Sequence, residues 1–259
     1  KEILMKFMEI ITKDQETWLY FNRPQAKNAL NLEMIKEIVF CLNEFERNPQ
    51  SKVLIITGRG DGFCAGGDIF DMKNKTGMFA GGSMELAHLY REGIQQIPLA
   101  FEKVSKPVIA LVNGAAVGAG CDIACMCDMR IATDQAFFAE TFSKLGLVPG
   151  DGGAYFLQRV VGYKNAMEMI LTARKYSAQK ALEMGLVNHV EPSEEVLEYM
   201  TSLTQNIKSL SLDALRMSKL LMKQAYQSDL SSHLDYSAFI LVLAHRSTDH
   251  NNCFSSSVI

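Results

Sequence analysis

The chain has no long hydrophobic run, no run of basic residues and no CxxC pair, and each absence excludes a class of function. Apolar stretches such as Val108–Val112 fall far short of the roughly 18 residues a membrane span requires. No charged, apolar and small-residue pattern of the export type opens the sequence, so the expected location is cytoplasmic, with no membrane partner. With 26 Lys and Arg against 29 Asp and Glu, the net charge is −3. The electrostatic footprint of a nucleic-acid binder is therefore missing. That balance suits an enzyme acting on a small molecule.

Six cysteines are present: Cys41, Cys64, Cys121, Cys125, Cys127 and Cys253. Without an export signal, disulfides are not expected. Cys121, Cys125 and Cys127 cluster in the apolar stretch CDIACMCDMRIA, with no His nearby to complete a tetrahedral site. They read as small hydrophobes packed in a core, and no metal site is expected.

The 259 residues, 48% hydrophobic and 21% charged, have the composition of a globular protein of one or two domains. A chain of this size buries about 70% of its unfolded surface. Thr17–Phe21 is β-branched and aromatic and predicts a strand. From Asn31, a plausible N-cap, Leu32, Ile35, Ile38, Val39, Leu42 and Phe45 fall on one helical face that ends before Pro49. Val53–Thr57 and Val108–Val112 are continuous apolar runs, the mark of strands buried on both faces. Strands alternating with helices argue for a parallel α/β organisation. Beyond Pro192 the pattern is helical throughout, near 193–208, 213–227 and 233–246. Residues 1–192 are accordingly read as the core and 193–259 as a helical region.

A glycine-rich loop follows each buried strand: Phe63–Asp68 after the first and Asn113–Gly120 after the second. Such loops present unsatisfied backbone N–H groups to one spot, where a phosphate, a dinucleotide or an oxyanion can bind. Neither loop matches GxGxxG with an acidic residue about 20 further on, or GxxxxGK[ST], which disfavours the usual nucleotide sites. Two N–H groups brought together from two strand ends are what an oxyanion hole needs. Tight turns that need small residues remain the alternative.

The segments NRPQAKNAL (22–30), FCAGGDI (63–69), KPVIALVNGAAVGAGCDIACMCDMRIA (106–132), LGLVPGDGG (145–153) and KALEMGLVNHV (180–190) resemble the crotonase, or enoyl-CoA hydratase/isomerase, superfamily. The resemblance covers roughly residues 10 to 250. It implies a spiral of repeated ββα units with a C-terminal helical layer for trimerisation and as a lid, and a homotrimer or dimer of trimers. It also implies an acyl-CoA thioester substrate from fatty-acid metabolism. No cofactor is implied, because coenzyme A is part of the substrate. The thioester carbonyl would accept backbone N–H bonds from Gly67 and Ala119. Cys64, Ala65 and Gly66 would meet the adenine, and Arg23 and Lys27 would approach the CoA phosphates. Asp68, Ile69, Gly118, Phe142, Pro149 and Gly150 fall in the same substrate-binding motifs. The lysine common after AGGDI is replaced here by Phe70 and Asp71.

Chemistry alpha to a thioester passes through an enolate and needs a proton-transfer group beside the oxyanion donors. Family hydratases use two glutamates. By the resemblance, the first position falls on Asp122 and the second on Phe142, which cannot move a proton. Glu140, Asp151 or Asp122 alone then remain as carriers. The reading favours Asp122, with Asp151 beside it, and double-bond isomerisation over hydration. Glu140 reads as a solvent-facing or interface group, and Asp151 equally as the N-cap of a helix beginning at Gly152. Asp128 reads as a structural partner of Arg130 or of a nearby backbone group. The histidines fall in no motif. Met72, Met78 and Met84, near the Gly- and Lys-rich stretch 73–83, read as lining an acyl pocket under a flexible lid. Decarboxylation, thioester hydrolysis and RNA binding by a catalytically weak homologue are the alternatives, the last requiring a basic stripe that the sequence lacks. Family members often continue past LAHRSTDH (243–250) into a helix that reaches a neighbouring subunit's CoA. Here the sequence reads CFSSSVI, and that contact is not carried over.

Overall fold

The computed structural model describes residues 2–255, with side chains to residue 252, so the side chain of Cys253 and the contacts of the CFSSSVI segment lie outside what is described. In chain order the strands are β1 (Glu2–Leu4), β2 (Met8–Lys13), β3 (Glu16–Phe21), β4 (Val53–Gly58), β5 (Gly62–Cys64) and β6 (Val108–Val112). They continue with β7 (Ala115–Val117), β8 (Met129–Thr133), β9 (Phe137–Ala139), β10 (Tyr176–Ser177) and β11 (His189–Glu191). The helices are α1 (Leu32–Arg47), α2 (Ile69–Asn74), α3 (Ser83–Glu92), α4 (Gln96–Lys103), α5 (Ala119–Met126) and α6 (Gly153–Thr172). After them come α7 (Ala178–Glu183), α8 (Val196–Ser209), α9 (Leu212–Ala225), α10 (Leu230–His245) and α11 (Thr248–Ser255). None of the helices described is long and apolar enough to cross a membrane.

Two sheets share the strands in alternation. The larger has the order β1-β2-β3-β4-β6-β8-β11 and the smaller β10-β9-β7-β5. The pairs β4–β6 and β6–β8 are parallel in one sheet, and β5–β7 and β7–β9 are parallel in the other. Each of β4, β6 and β8 is thus followed by a short strand in the second sheet and then by one or more helices, which is the ββα spiral expected above.

Local chemistry explains the main elements. Asn31 caps α1 by accepting from the Met34 amide at 2.9 Å, and Met34, Ile35, Ile38, Cys41, Leu42 and Phe45 are buried on one face. Each such side chain contributes about 1.5–3 kcal/mol relative to exposure. The run in β4 is continuous because both its faces are covered: Leu54 and Ile56 face the main core, while Val53 and Ile55 pack with Val196, Met200 and Ile207 of α8. Alternation would expose one face, and neither meets water. The helical region is joined to the core by Arg216 to Glu46 (2.8 Å) and Lys219 to Asp128 (2.7 Å). Asp128 also accepts from the Val108 amide, while Arg130 bonds carbonyls instead. Of the two partners expected for Asp128, the backbone group is the one found.

Candidate active site

The chain leaves β5 at Cys64, passes through Ala65, Gly66 and Gly67, and enters α2 at Asp68. The Asp68 carboxylate accepts from the amides of Phe70 (2.9 Å) and Asp71 (3.3 Å) and from Arg23 Nη1 (2.6 Å). Arg23 also donates to Ala29 O, and bonds from Leu30 to Gly66 O and from Asp68 to Leu30 O lock the loop against residues 29–30. The second loop leaves β7 at Val117 and starts α5 at Ala119, with Gly118 donating to Ala139 O. Neither the Gly67 nor the Ala119 N–H donates in these ties. As the first residue of α5, Ala119 has no intrahelical acceptor.

The two loops touch. A Cβ on Gly66, whose φ is +86°, would fall 2.6 Å from Val117 O and 3.4 Å from Ala119 N. One on Gly120 would lie 2.8 Å from the Cys64 carbonyl carbon. Only glycine allows this approach, and it brings Gly67 and Ala119 to one cavity of about 240 Å³. Met72, Met78, Phe79 and Tyr90 also line it, as do Phe142, Gly150 and Asp151. Gln95 fixes the Gly150 turn by donating to its carbonyl at 2.8 Å. A larger cavity, about 460 Å³, lies between α6 and α9 and contains none of the expected site residues.

Three acids gather beside the smaller cavity. Asp122, Glu140 and Asp151 are 0%, 1% and 4% exposed. Among the described residues, no N–H or hydroxyl donor reaches a side-chain oxygen of Asp122 or Glu140. Burial pushes the Asp122 carboxyl well above the usual range, reinforced by the charges of Asp151 and Glu140. Burial likewise raises Glu140, with Cys125 adding to it. Asp151 is raised by burial, but a hydrogen bond from Asp122 and the amides of Asp151 and Gly153 pull it back. Tyr90 is pushed up by burial and by Asp151.

Several expectations change. Glu140 is not at the surface or free for an interface: it is buried, as Asp122 is, directly after the buried end of β9. Asp151 does not cap a helix; Gly152 occupies that position and α6 begins at Gly153. Asp122 sits behind the wall, not on it, whereas Asp151 borders the cavity. Arg23 is committed to Asp68. Lys27 pairs with Asp61 at 2.6 Å with both side chains largely in water. Cys64 is buried, with its thiol pushed up to about 12 by burial. Ile69 is exposed, Pro149 adjoins Gly150 without lining the cavity, and Met84 points to solvent although Met72 and Met78 line it. Cys121, Cys125 and Cys127 are unbridged and buried as core side chains. His189 stacks on Tyr199 and bonds Glu191. Tyr90 and Gln95 carried no sequence signal, since they come from a helical stretch between the motifs.

The sequence model of the family described as Enoyl-CoA hydratase/isomerase matches residues 17–252. Crotonyl-CoA hydratase of Syntrophomonas wolfei is 38% identical over 237 residues, 90% of this chain and 88% of that protein. The 1,2-epoxyphenylacetyl-CoA isomerase of Escherichia coli is 34% identical over 239 residues, 92% of this chain and 90% of its own. The crystal structure of enoyl-CoA hydratase from Bacillus anthracis superimposes with a TM-score of 0.89 at 28% identity, covering 96% of this chain and 95% of the other.

Proposed function

The chain belongs to the enoyl-CoA hydratase/isomerase family and is an acyl-CoA enzyme of that type; on that premise we propose that it shifts a double bond along an enoyl-CoA rather than adding water to it. One observation carries the reading. Among the described residues lining the cavity with Gly67 and Ala119, Asp151 is the single carboxyl, and Phe142 stands where the family resemblance calls for a second acid.

The thioester oxygen accepts from the Gly67 and Ala119 amides. Each such donor contributes about 3 kcal/mol once negative charge develops on that oxygen. Asp151 takes a proton from the alpha carbon of a 3-enoyl thioester, and the electron pair moves onto the carbonyl oxygen as a dienolate. The carbonyl then re-forms, the double bond settles between the alpha and beta carbons, and the same carboxyl returns its proton to the gamma carbon. One acid suffices for this exchange between two carbons. Hydration needs one group to hold the water and a proton source for the alpha carbon, and Phe142 supplies neither.

Lys27 is the cation free to exchange its surface partner for a CoA phosphate, since an exposed pair such as Lys27–Asp61 holds by about 1 kcal/mol or less. α10 exposes Leu230, Leu234 and Phe239. So much apolar surface on one element suits burial between subunits, in the trimer or dimer of trimers that the family resemblance implies. The test is to give the protein crotonyl-CoA and 3-enoyl-CoA in parallel and follow the thioester chromophore. Isomerisation should outrun hydration; rapid hydration of crotonyl-CoA would overturn the reading.

A further inference from the structure

The cavity of about 460 Å³ between α6 and α9 takes no part in the reaction drawn above. Met126, Met129, Phe156, Leu215 and Met222 give it an apolar wall. The cations beside them are already engaged. Lys219 pairs with Asp128 at 2.7 Å, and Lys223 approaches Glu102 at 3.6 Å. Arg159 donates to Tyr155 O at 2.7 Å, and its guanidinium lies 3.4 Å from the centre of that ring. A ligand there meets hydrocarbon and matched charges, which suits an uncharged chain and disfavours an anion.

A neck joins this cavity to the active site. Ile94, Ala119 and Asp151 line both the smaller cavity and the neck, and Met126 lines both the neck and the larger cavity. Leu30, Ile97 and Ile123 complete the neck. Ala119, Ile123 and Met126 stand at i, i+4 and i+7 of α5, so they share one helical face. That face runs about 10 Å along the helix, from the residue whose amide faces the thioester oxygen to the larger cavity. The neck is closed to water, and Met126, partly buried, unbranched and flexible, is placed to turn aside.

The smaller cavity is too confined for a long acyl chain. Its volume of about 240 Å³ lies below the about 300–1,000 Å³ that buries a drug-sized ligand. Over Gly67 it is closed by Met72, whose Cε lies 2.6 Å from where a Cβ on that glycine would fall.

We propose that the larger cavity receives the distal part of the substrate's acyl chain through the neck that Met126 opens, which makes medium- and long-chain enoyl-CoAs the substrate class. This rests on the reading that Gly67 and Ala119 hold the thioester. Each methylene that leaves water for the neck or the cavity should strengthen binding about fourfold.

The first experiment needs no turnover. Dodecanoyl-CoA carrying a diazirine at the far end of its chain is photolysed with the full-length protein, and the labelled peptides are identified by mass spectrometry. Label should fall on Met126, α6 or α9. Label confined to residues 72–84 overturns the proposal, since the chain then leaves by the opposite end. The second experiment compares kcat/KM for 3-enoyl-CoAs of six and twelve carbons. The parent should prefer the longer by at least about 10²-fold, and Met126→Trp, which fills the neck, should cut that preference to about threefold or less. A parent without the preference, or a Met126→Trp variant that keeps it, overturns the proposal; the label decides if that variant does not fold. Label on α9 from a protein that isomerises nothing sustains this site and defeats the functional reading instead.

Discussion

The carboxyl group of Asp122 lies against the Cα of Gly153, so closely that a methyl group there would fall 2.5 Å from both Cγ and Oδ2. That contact sets the Asp122 side chain of α5 against the first residue of α6, beside Asp151. Gly153→Ala should therefore push Asp122 aside without altering any acid. Overpacking of this kind costs about 1–3 kcal/mol of stability. Steady-state kinetics should show kcat reduced while KM for acyl-CoA holds, and a kcat equal to that of the parent would show that Asp122 need not stay where it is.

Asp151→Asn removes the only carboxyl that the described residues bring to the cavity wall but keeps its size. Isomerisation should drop by about 10²–10⁴-fold, the usual worth of a positioned proton-transfer group. Acyl-CoA binding, measured by calorimetry, should persist because the amides of Gly67 and Ala119 are untouched.

Stability should depend on pH in a direction set by the buried acids. In the unfolded chain, Asp122 and Glu140 titrate near about 4, whereas burial keeps both protonated well above that in the fold. Between those limits the folded state binds more protons, so stability falls as pH rises. Asp122→Asn removes one such group. Urea denaturation at pH 5 and pH 8 should show a smaller loss for the variant than for the parent; equal slopes would contradict the protonation assigned to Asp122.

The Arg23–Asp68 pair tests a different expectation. Burial works to raise the Asp68 carboxyl, yet the Arg23 hydrogen bond and the Asp71 amide hold it below its usual range. Arg23→Gln should cost about 1–3 kcal/mol at pH 7, a loss that shrinks as pH falls below about 4 and Asp68 is protonated in both proteins. Should Arg23 serve a CoA phosphate instead, KM would rise and stability would stay put.

Much of this architecture was legible in the residues. α1, β4 and β6 announced themselves through period and apolar runs, and the cysteines of α5 through their apolar neighbours. The short strands β5, β7 and β9 did not, because three residues are too few to display a period. They looked like loops, and only the family resemblance supplied the second sheet. Glu140 departs from its local sequence signal for a physical reason. A charge on a side chain argues for water, and nothing local reveals that neighbouring acids will keep it neutral. Asp151 looked like a cap because Asp-Gly-Gly is a good helix start; the chain advances one residue further, which leaves its carboxyl on the cavity wall. Tyr90 and Gln95 reach the site through tertiary packing alone.

The most direct measurement is exchange of the alpha protons of a saturated acyl-CoA, such as butyryl-CoA, in deuterated water, read by mass spectrometry. That substrate can form the enolate but neither hydrate nor isomerise. The parent protein should incorporate deuterium, and Asp151→Asn should do so at least about 10²-fold more slowly. No exchange by the parent, or undiminished exchange by the variant, would contradict an enolate held by the Gly67 and Ala119 amides and formed by Asp151.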